Sequence, residues 1–241
     1  MIIFFIFMTG ASFGSFLYCF AERYSLHESF MTGRSRCPVC GHVLGILDLI
    51  PVFSYILQKG RCRYCHQKIH IGYLLCEILC GSMFLLIFYV HGDLDINCFY
   101  VMSVACVLLC LSMTDFLTYE IPDRFHLMLI LLWFIKNITI KKELPFLPFL
   151  FSRVICGFLI SFFLLLLTFF LSKVRNKEMM GGGDIKLFFS VGLYLGFYNS
   201  VLCLSFSCVW GLCFMLILHR KAIPFGPCIS LSFLLLLLSV Q

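Results

Sequence analysis

The sequence has little charge for its length. Charged residues make up 12% of its 241 residues and hydrophobic residues 61%, whereas soluble domains average about 25% and about 45 to 50%. No soluble core can absorb that apolar excess, so a soluble enzyme and a disordered chain are both excluded. Because a bilayer helix takes roughly 20 mostly apolar residues, the length also excludes a single-span receptor.

The first apolar run lacks the basic start of a secretory signal peptide, since no Lys or Arg precedes Arg23. We therefore expect a retained first helix whose N-terminus lies outside. The apolar runs predict an all-α polytopic membrane protein with about eight transmembrane helices. The predicted spans are residues 1–20, 73–90, 98–114, 125–138, 149–171, 185–197, 201–218 and 228–240.

Positive charge divides the connections between two sides. The segment after the first span carries seven Lys and Arg residues against three acidic residues, so the positive-inside rule predicts that it is cytoplasmic. Alternation places most other basic connections inside, with Lys136, Lys141 and Lys142 as the exception. The basic residues are scattered and form no aromatic and basic surface for nucleic acid. We predict a first transmembrane helix at 1–20, a small cytoplasmic domain at 21–72 and a transmembrane domain at 73–241.

Four of the 15 cysteines lie in the cytoplasmic domain, and the other eleven lie in or beside apolar runs, where Cys acts as a small hydrophobe. The four form two CxxC pairs, Cys37 with Cys40 and Cys62 with Cys65. Two residues between thiolates let a tight turn aim both sulfurs at one ion, so the pairs predict a closed tetrahedral zinc site. Disulfides are the first alternative, which a reducing cytosol disfavours. A redox pair is the second, but it lacks a thioredoxin-like setting. Unrelated free thiols are the third, and these would not pair twice at this interval.

Two aspartates border predicted spans on the same side of the membrane. Asp115 ends the third span and Asp184 opens the sixth. Carboxylates are costly in a bilayer, so those at its edge are functional candidates. Two that meet around one water suit aspartic proteolysis, because one activates the water while the other, protonated, polarises the carbonyl. Helix dipoles favour the charge on Asp184 and the proton on Asp115.

Three glycines, Gly181, Gly182 and Gly183, precede Asp184. Without Cβ atoms they allow a substrate strand to approach the backbone closely. The alternative for this motif is a flexible loop whose Asp caps a helix. For Asp115 the alternative is a polar helix end before a proline.

These motifs, in this order, resemble the type IV prepilin peptidase family of bifunctional membrane aspartic proteases with the GxGD signature. The matching blocks are residues 14–17 with Arg23, 35–40, 48–52 with Ser54 and Tyr55, 60–65, Glu77 with Gly81, Asp115 with 121–123, 181–187 and 224–227. The resemblance implies cleavage of the basic leader of type IV prepilins or type II secretion pseudopilins after a Gly. This occurs at the cytoplasmic face of the bacterial inner membrane. Methylation of the new N-terminal amine with S-adenosylmethionine is then implied.

The resemblance assigns roles residue by residue. Asp115 and Asp184 match the catalytic aspartates, and the four paired cysteines match the zinc tetrad of the domain associated with methylation. The substrate loop comprises Gly181, Gly182, Gly183 and Lys186. No glycine-rich fingerprint marks a methyl-donor site, and the residues offered for it are Glu22, Arg23, Glu77 and Gly81.

Four residues depart from the family pattern. Tyr18 stands where many members have Asn, Gly72 and Leu74 stand where Arg and Pro are common, and Leu117 replaces a frequent acid. The first three lie in the region linked to methylation, so a peptidase without methyltransferase activity is one alternative. A non-enzymatic scaffold or transporter that carries zinc is another.

Overall fold

The computed structural model describes residues 1–26, 34–140, 146–175, 180–219 and 223–239. These residues are mainly helical and contain no β-strand, only two isolated bridges that join Arg36 to Val43 and Arg61 to Lys68. The all-helical fold class is therefore confirmed. Lys141, Lys142 and the last residue of the predicted final span, Val240, lie outside the described residues.

All helices but the short second one follow the predicted apolar runs. The helices are α1 (Ile2–Ser25), α2 (Phe53–Leu57), α3 (Ile71–His91), α4 (Ile96–Thr118), α5 (Asp123–Ile140), α6 (Phe146–Arg175), α7 (Gly182–Leu218) and α8 (Gly226–Ser239), with a 3-10 turn at Ile46–Asp48. Within the described residues, five helices are long and apolar enough to cross a membrane: α1, α3, α4, α6 and α7. The shorter helices α5 and α8 coincide with two further predicted spans, and the number eight stays a prediction.

Helix α7 contains both the sixth and the seventh predicted spans. Its 37 residues would extend about 55 Å as one straight helix, well beyond a bilayer core of about 30 Å. The backbone leaves the helical conformation at Gly196, with φ 76° and ψ −178°. Nη1 of Arg153, on α6, lies 3.5 Å from the carbonyl oxygen of Tyr194 just before this break. A cation near the end of a helical segment is favourable, so Arg153 supports the interruption.

Contacts divide the chain into two units, Met1–Met113 and Thr114–Gln241, with the boundary inside α4. In the first unit α1 packs along α3, and the helices are antiparallel because Gly10 faces Gly81 whereas the later Gly14 faces Cys76. A Cβ added to Gly14 would lie 2.5 Å from the carbonyl oxygen of Cys76, so the two backbones are in close contact, as small residues permit. In the second unit α7 packs against α5, α6 and α8. The three predicted domains stay a prediction.

Candidate active site and metal centre

The two CxxC pairs fold into turns of the same kind. The N–H of Cys37 donates to the carbonyl of His42 at 3.0 Å, and the N–H of Cys62 donates to the carbonyl of Gln67 at 2.8 Å. Each turn also has a residue with left-handed backbone four positions after its first cysteine, Gly41 with φ 69° and His66 with φ 57°. The equivalent backbone paths let both turns present their sulfurs in the same manner.

These turns bring four sulfur atoms together. The Sγ atoms of Cys37, Cys40, Cys62 and Cys65 all lie within 4.8 Å of one another, and those of Cys37 and Cys65 are 3.8 Å apart. A backbone hydrogen bond from Cys40 lowers the pKa of Cys37 to about 7, whereas burial and the neighbouring thiols raise the pKa of Cys65 to about 11. Cys37 is therefore the thiol of this pair that ionises first. The four cysteines could therefore hold a metal ion. The ring of His42 instead packs on that of Tyr64, with 3.6 Å between centroids.

Asp48 organises the chain between the two turns, a role that the sequence analysis missed. Its side chain is 3% exposed and lies 3.6 Å from Nε of Arg63. It accepts hydrogen bonds from the N–H of Gly45 at 3.0 Å, from Nε2 of Gln58 at 3.0 Å and from the hydroxyl of Tyr64 at 3.3 Å. Buried carboxylates need such partners. The sequence feature that could have revealed this role is a single Asp within an apolar stretch. Asp48 ties residues 45–58 to the second CxxC turn.

Asp115 lies in the last part of α4 and is 5% exposed. The N–H of Gly226, the first residue of α8, donates to its Oδ2 at 2.8 Å. A Cβ added to Gly226 would lie only 2.6 Å from that oxygen, so only glycine allows this approach. The sequence analysis quoted residues 224–227 but assigned them no role, although prolines and glycine before an apolar run signal a helix start. The N–H donor of Gly226 favours negative charge on Asp115, whereas the helix dipole alone favours the proton there. Which aspartate holds the proton stays a prediction.

Asp184 lies in the first turn of α7, where Gly181 is the extended N-cap residue. The side chain is partly buried and is close enough to Asp115 to feel its charge. The thiol of Cys228, on α8, is within electrostatic reach of both aspartates. The two predicted catalytic residues thus lie within electrostatic reach of each other, and both belong to the second unit.

The three glycines before Asp184 differ in their surroundings. A Cβ on Gly183 would lie 2.9 Å from Cβ of Ile121, one on Gly181 would lie 3.5 Å from Oδ2 of Asp184, and one on Gly182 would have open space. Close packing therefore demands glycine at 183, against the connection between α4 and α5. At 182 the packing of the chain itself makes no such demand.

Lys186 joins the start of α7 to the start of α5. Its Nζ lies 2.5 Å from Oδ1 of Asp123, and the two side chains are 56% and 74% exposed. The hydrogen bond and charge of Lys186 lower the pKa of Asp123. The predicted substrate-loop lysine thus has a partner within the chain, in an exposed pair of the kind that contributes little to stability.

The residues offered for the methyl donor are spread along the α1 and α3 pair. Arg23 lies in the last turn of α1, and Glu22 accepts a hydrogen bond of 2.5 Å from the hydroxyl of Tyr73. Gly81 packs against Phe7, whose ring would be 2.7 Å from an added Cβ. Along α3, Gly81 is about 12 Å from Tyr73. The structure does not bring Gly81 together with Glu22, and their contact with a methyl donor stays a prediction.

Glu77, the fourth residue offered, is buried and 6% exposed. Its Oε2 accepts a hydrogen bond of 2.7 Å from the N–H of Val52. The hydrogen-bond partner of Glu77 is thus a backbone group of the protein itself.

Two of the residues that depart from the family pattern, Tyr18 and Gly72, are in contact with each other. The hydroxyl of Tyr18 is 2.7 Å from Nδ1 of His70, which also accepts the N–H of Gly72 at 3.1 Å. A Cβ on Gly72 would overlap the ring of Tyr18. The large residue at 18 and the missing side chain at 72 are therefore one coupled change.

Comparisons with known proteins cover most of the chain. Residues 8–91 match the bacterial peptidase A24 N-terminal domain, and residues 102–216 match the type IV leader peptidase family. The chain is 30% identical over 217 residues to a prepilin leader peptidase/N-methyltransferase of Pseudomonas putida, which covers 86% of this chain and 73% of that protein. It is 31% identical over 204 residues to a type 4 prepilin-like proteins leader peptide-processing enzyme of Escherichia coli O78:H11, covering 83% and 73%. A prepilin leader peptidase/N-methyltransferase of Vibrio cholerae is 28% identical over 220 residues, covering 87% and 83%. No solved structure matches.

Proposed function

Because the chain belongs to the type IV leader peptidase family, we propose that it cleaves the leader peptides of type IV prepilins or type II secretion pseudopilins after a Gly. It is a multi-pass membrane protein by its apolar helices, and we place it in the bacterial inner membrane with the cysteine module (residues 34–70) in the cytoplasm. The observation that carries the proposal is the buried carboxyl of Asp115, which lies within electrostatic reach of Asp184 and accepts the N–H of Gly226 at an approach that only glycine allows.

Cleavage would proceed through a water held between the two carboxyl groups. The ionised carboxylate takes a proton as the water oxygen attacks the carbonyl carbon after the Gly, and the protonated carboxyl donates a hydrogen bond to the carbonyl oxygen. The tetrahedral intermediate then collapses, the C–N bond breaks, and a carboxyl proton passes to the leaving amine. The N–H of Gly226 orients Asp115 throughout. The two groups share protons and titrate as a pair.

The cysteine module would hold a structural zinc ion. With Zn–S bonds of about 2.3 Å, tetrahedral ligands lie about 3.8 Å apart, and the sulfurs of Cys37 and Cys65 are at 3.8 Å. Cys40 and Cys62 complete the set. Four protein ligands leave no open position, so the ion would stabilise the fold of the module and take no part in peptide cleavage.

We also propose that the enzyme methylates the new N-terminal amine with S-adenosylmethionine. The donor supplies a methyl group from its sulfonium when bound. Glu22 and Arg23, at the end of α1, remain our candidates for binding the methyl donor. The carboxylate of Glu22 accepts a hydrogen bond from the hydroxyl of Tyr73. The coupled change at Tyr18 and Gly72 favours a second candidate function, a peptidase that has lost methylation.

Co-expression with candidate prepilins, followed by mass spectrometry of the product N-terminus, tests these proposals together. We expect Asp115→Asn and Asp184→Asn each to slow cleavage at least about a hundredfold, because each removes a group that transfers a proton. Asp93→Asn, an exposed acid in the first unit, is the matched control and should cleave normally. Full processing by either aspartate variant would falsify the pair. A mature but unmethylated product from the unmodified enzyme would favour the second candidate.

A further inference from the structure

Glu77 is a buried carboxylate that the proposed cleavage does not use. It lies on α3 where this helix packs against α1 and is 6% exposed. Its hydrogen-bond partner is the N–H of Val52 at 2.7 Å, and the hydroxyl of Ser15, on α1, is within reach of the carboxylate. Among the described residues, no ion pair joins it to a cation. A buried charge without a cation persists only where its oxygens are well hydrogen-bonded, so these two contacts define its role.

The contact with Val52 holds an unusual turn. Val52 has φ 63° and ψ −51°, and the N–H of Phe53 donates to the carbonyl of Pro51 at 2.6 Å. This is a γ-turn of the rare, strained form, and a β-branched residue is especially unfavourable with positive φ. Such a conformation persists only where the surroundings hold it. The hydrogen bond to Glu77 is a direct restraint on the central residue of the turn.

The γ-turn belongs to a segment that is also bonded to the cysteine module. This segment, the docking arm, comprises residues 46–57, from the 3-10 turn to the end of α2. Near one end, Asp48 contacts Arg63 and Tyr64 of the second CxxC turn. Near its middle, Val52 is bonded to Glu77. The arm thus links the metal-binding turns to the helix pair of α1 and α3 within the first unit.

We propose that Glu77 is a positioning residue that docks the cysteine module onto the α1 and α3 pair through the γ-turn at Val52. This role differs from direct contact with the methyl donor. Docking requires an acceptor oxygen but no negative charge. Gln would serve, because its Oε1 can accept the N–H of Val52 and its amide can donate to Ser15. A ligand for the cationic sulfonium would require the charge.

The experiment compares the unmodified protein with Glu77→Gln, Glu77→Leu and the control Asp93→Asn in lipid nanodiscs. Hydrogen–deuterium exchange of a peptide covering residues 49–57 reports docking, and mass spectrometry of the pilin N-terminus reports methylation. We expect Glu77→Leu to speed exchange at Val52 roughly tenfold or more, the order that a lost hydrogen bond to a charged group implies. Methylation should fall with it. Glu77→Gln should restore both to near the unmodified level.

Two results would overturn the proposal: unchanged exchange in Glu77→Leu, or lost methylation in Glu77→Gln despite normal protection of residues 49–57. The second result stands even if Glu77→Leu fails to fold, and prepilin cleavage by the same preparations checks folding. The methylation readout rests on the proposed function, whereas the exchange readout does not. If the unmodified protein does not methylate, that part of the proposed function fails and exchange alone decides the docking role.

Discussion

The four cysteines of the first unit are brought together by two turns, each closed by backbone hydrogen bonds within a few residues of its cysteines. In the second unit, Asp115, Asp184 and Gly226 come from three different helices, α4, α7 and α8. The donors of the cysteine module are therefore oriented mainly by local backbone geometry. The aspartates depend on helix packing, which residues far from them in sequence control.

This difference predicts distinct weak points. The cysteine module should fail when a ligand is removed, because little apolar surface in so small a segment can replace the metal. The aspartate site should fail when the helices cannot approach, even if both carboxyl groups remain. We therefore expect glycines at helix contacts to matter to the second site as well as the candidate catalytic carboxyl groups.

The largest expected effect is on the metal site. Cys62→Ser removes one of the two buried cysteines of the four. We expect zinc affinity to fall by up to about a thousandfold, since four ligands together contribute about 10 to 16 kcal/mol and a quarter of the upper value is about 4 kcal/mol. Metal analysis of the purified variant measures this, with the exposed Cys208→Ser as control. Unchanged metal content would contradict the zinc assignment. Cleavage should change far less than metal content, because the aspartates lie in the other unit.

A smaller effect is expected from one methyl group at the aspartate site. Gly226→Ala places a Cβ 2.6 Å from Oδ2 of Asp115, which must move the carboxylate out of position. Misplacement by about 1 Å can cost about a hundredfold in rate, and we expect kcat/KM for prepilin to fall on that order. Gly211→Ala is the control, because its Cβ would meet Phe225 at an ordinary 3.5 Å. Normal cleavage by the Gly226 variant would show that the approach of α8 is not required.

The smallest effect is expected at the ion pair of Asp123 with Lys186. We expect Asp123→Asn to change cleavage by less than about twofold, because the pair is exposed. The pKa of Asp123 is lowered by Lys186, so any stabilisation exists above the unfolded pKa of about 3.9 and is lost as the pH falls through the folded value. The difference in unfolding temperature between variant and parent should therefore be smaller at pH 3 than at pH 7. A larger difference in unfolding temperature at pH 3 than at pH 7 would contradict the lowered pKa of Asp123.

Much of the fold could be predicted because its signals are local. Apolar runs located the long helices, since a membrane helix must be apolar along its own length. The break in α7 was predicted between residues 197 and 201, whereas the structure interrupts the helix at Gly196. Gly196 was a sequence feature that could have indicated the break. Its contact with Arg153 of α6 depends on how the two helices pack.

The site shows the same limit. The aspartates and cysteines stand out by residue type, because carboxylates at a span edge and paired thiols are chemically distinctive. Gly226, Asp48 and Glu77 act through a backbone N–H or a buried carboxylate whose partner lies at another place in the chain. No periodicity or spacing encodes such a pairing.

The sequence by itself determined the membrane class, the four candidate metal-binding donors and the two candidate catalytic carboxyl groups, because composition, short spacing and charge act within one segment. Only the tertiary structure decided which glycine faces Asp115, which backbone N–H Glu77 accepts and why Tyr18 stands beside Gly72. Those contacts arise where helices and turns pack, and close packing depends on the shapes of both partners at once.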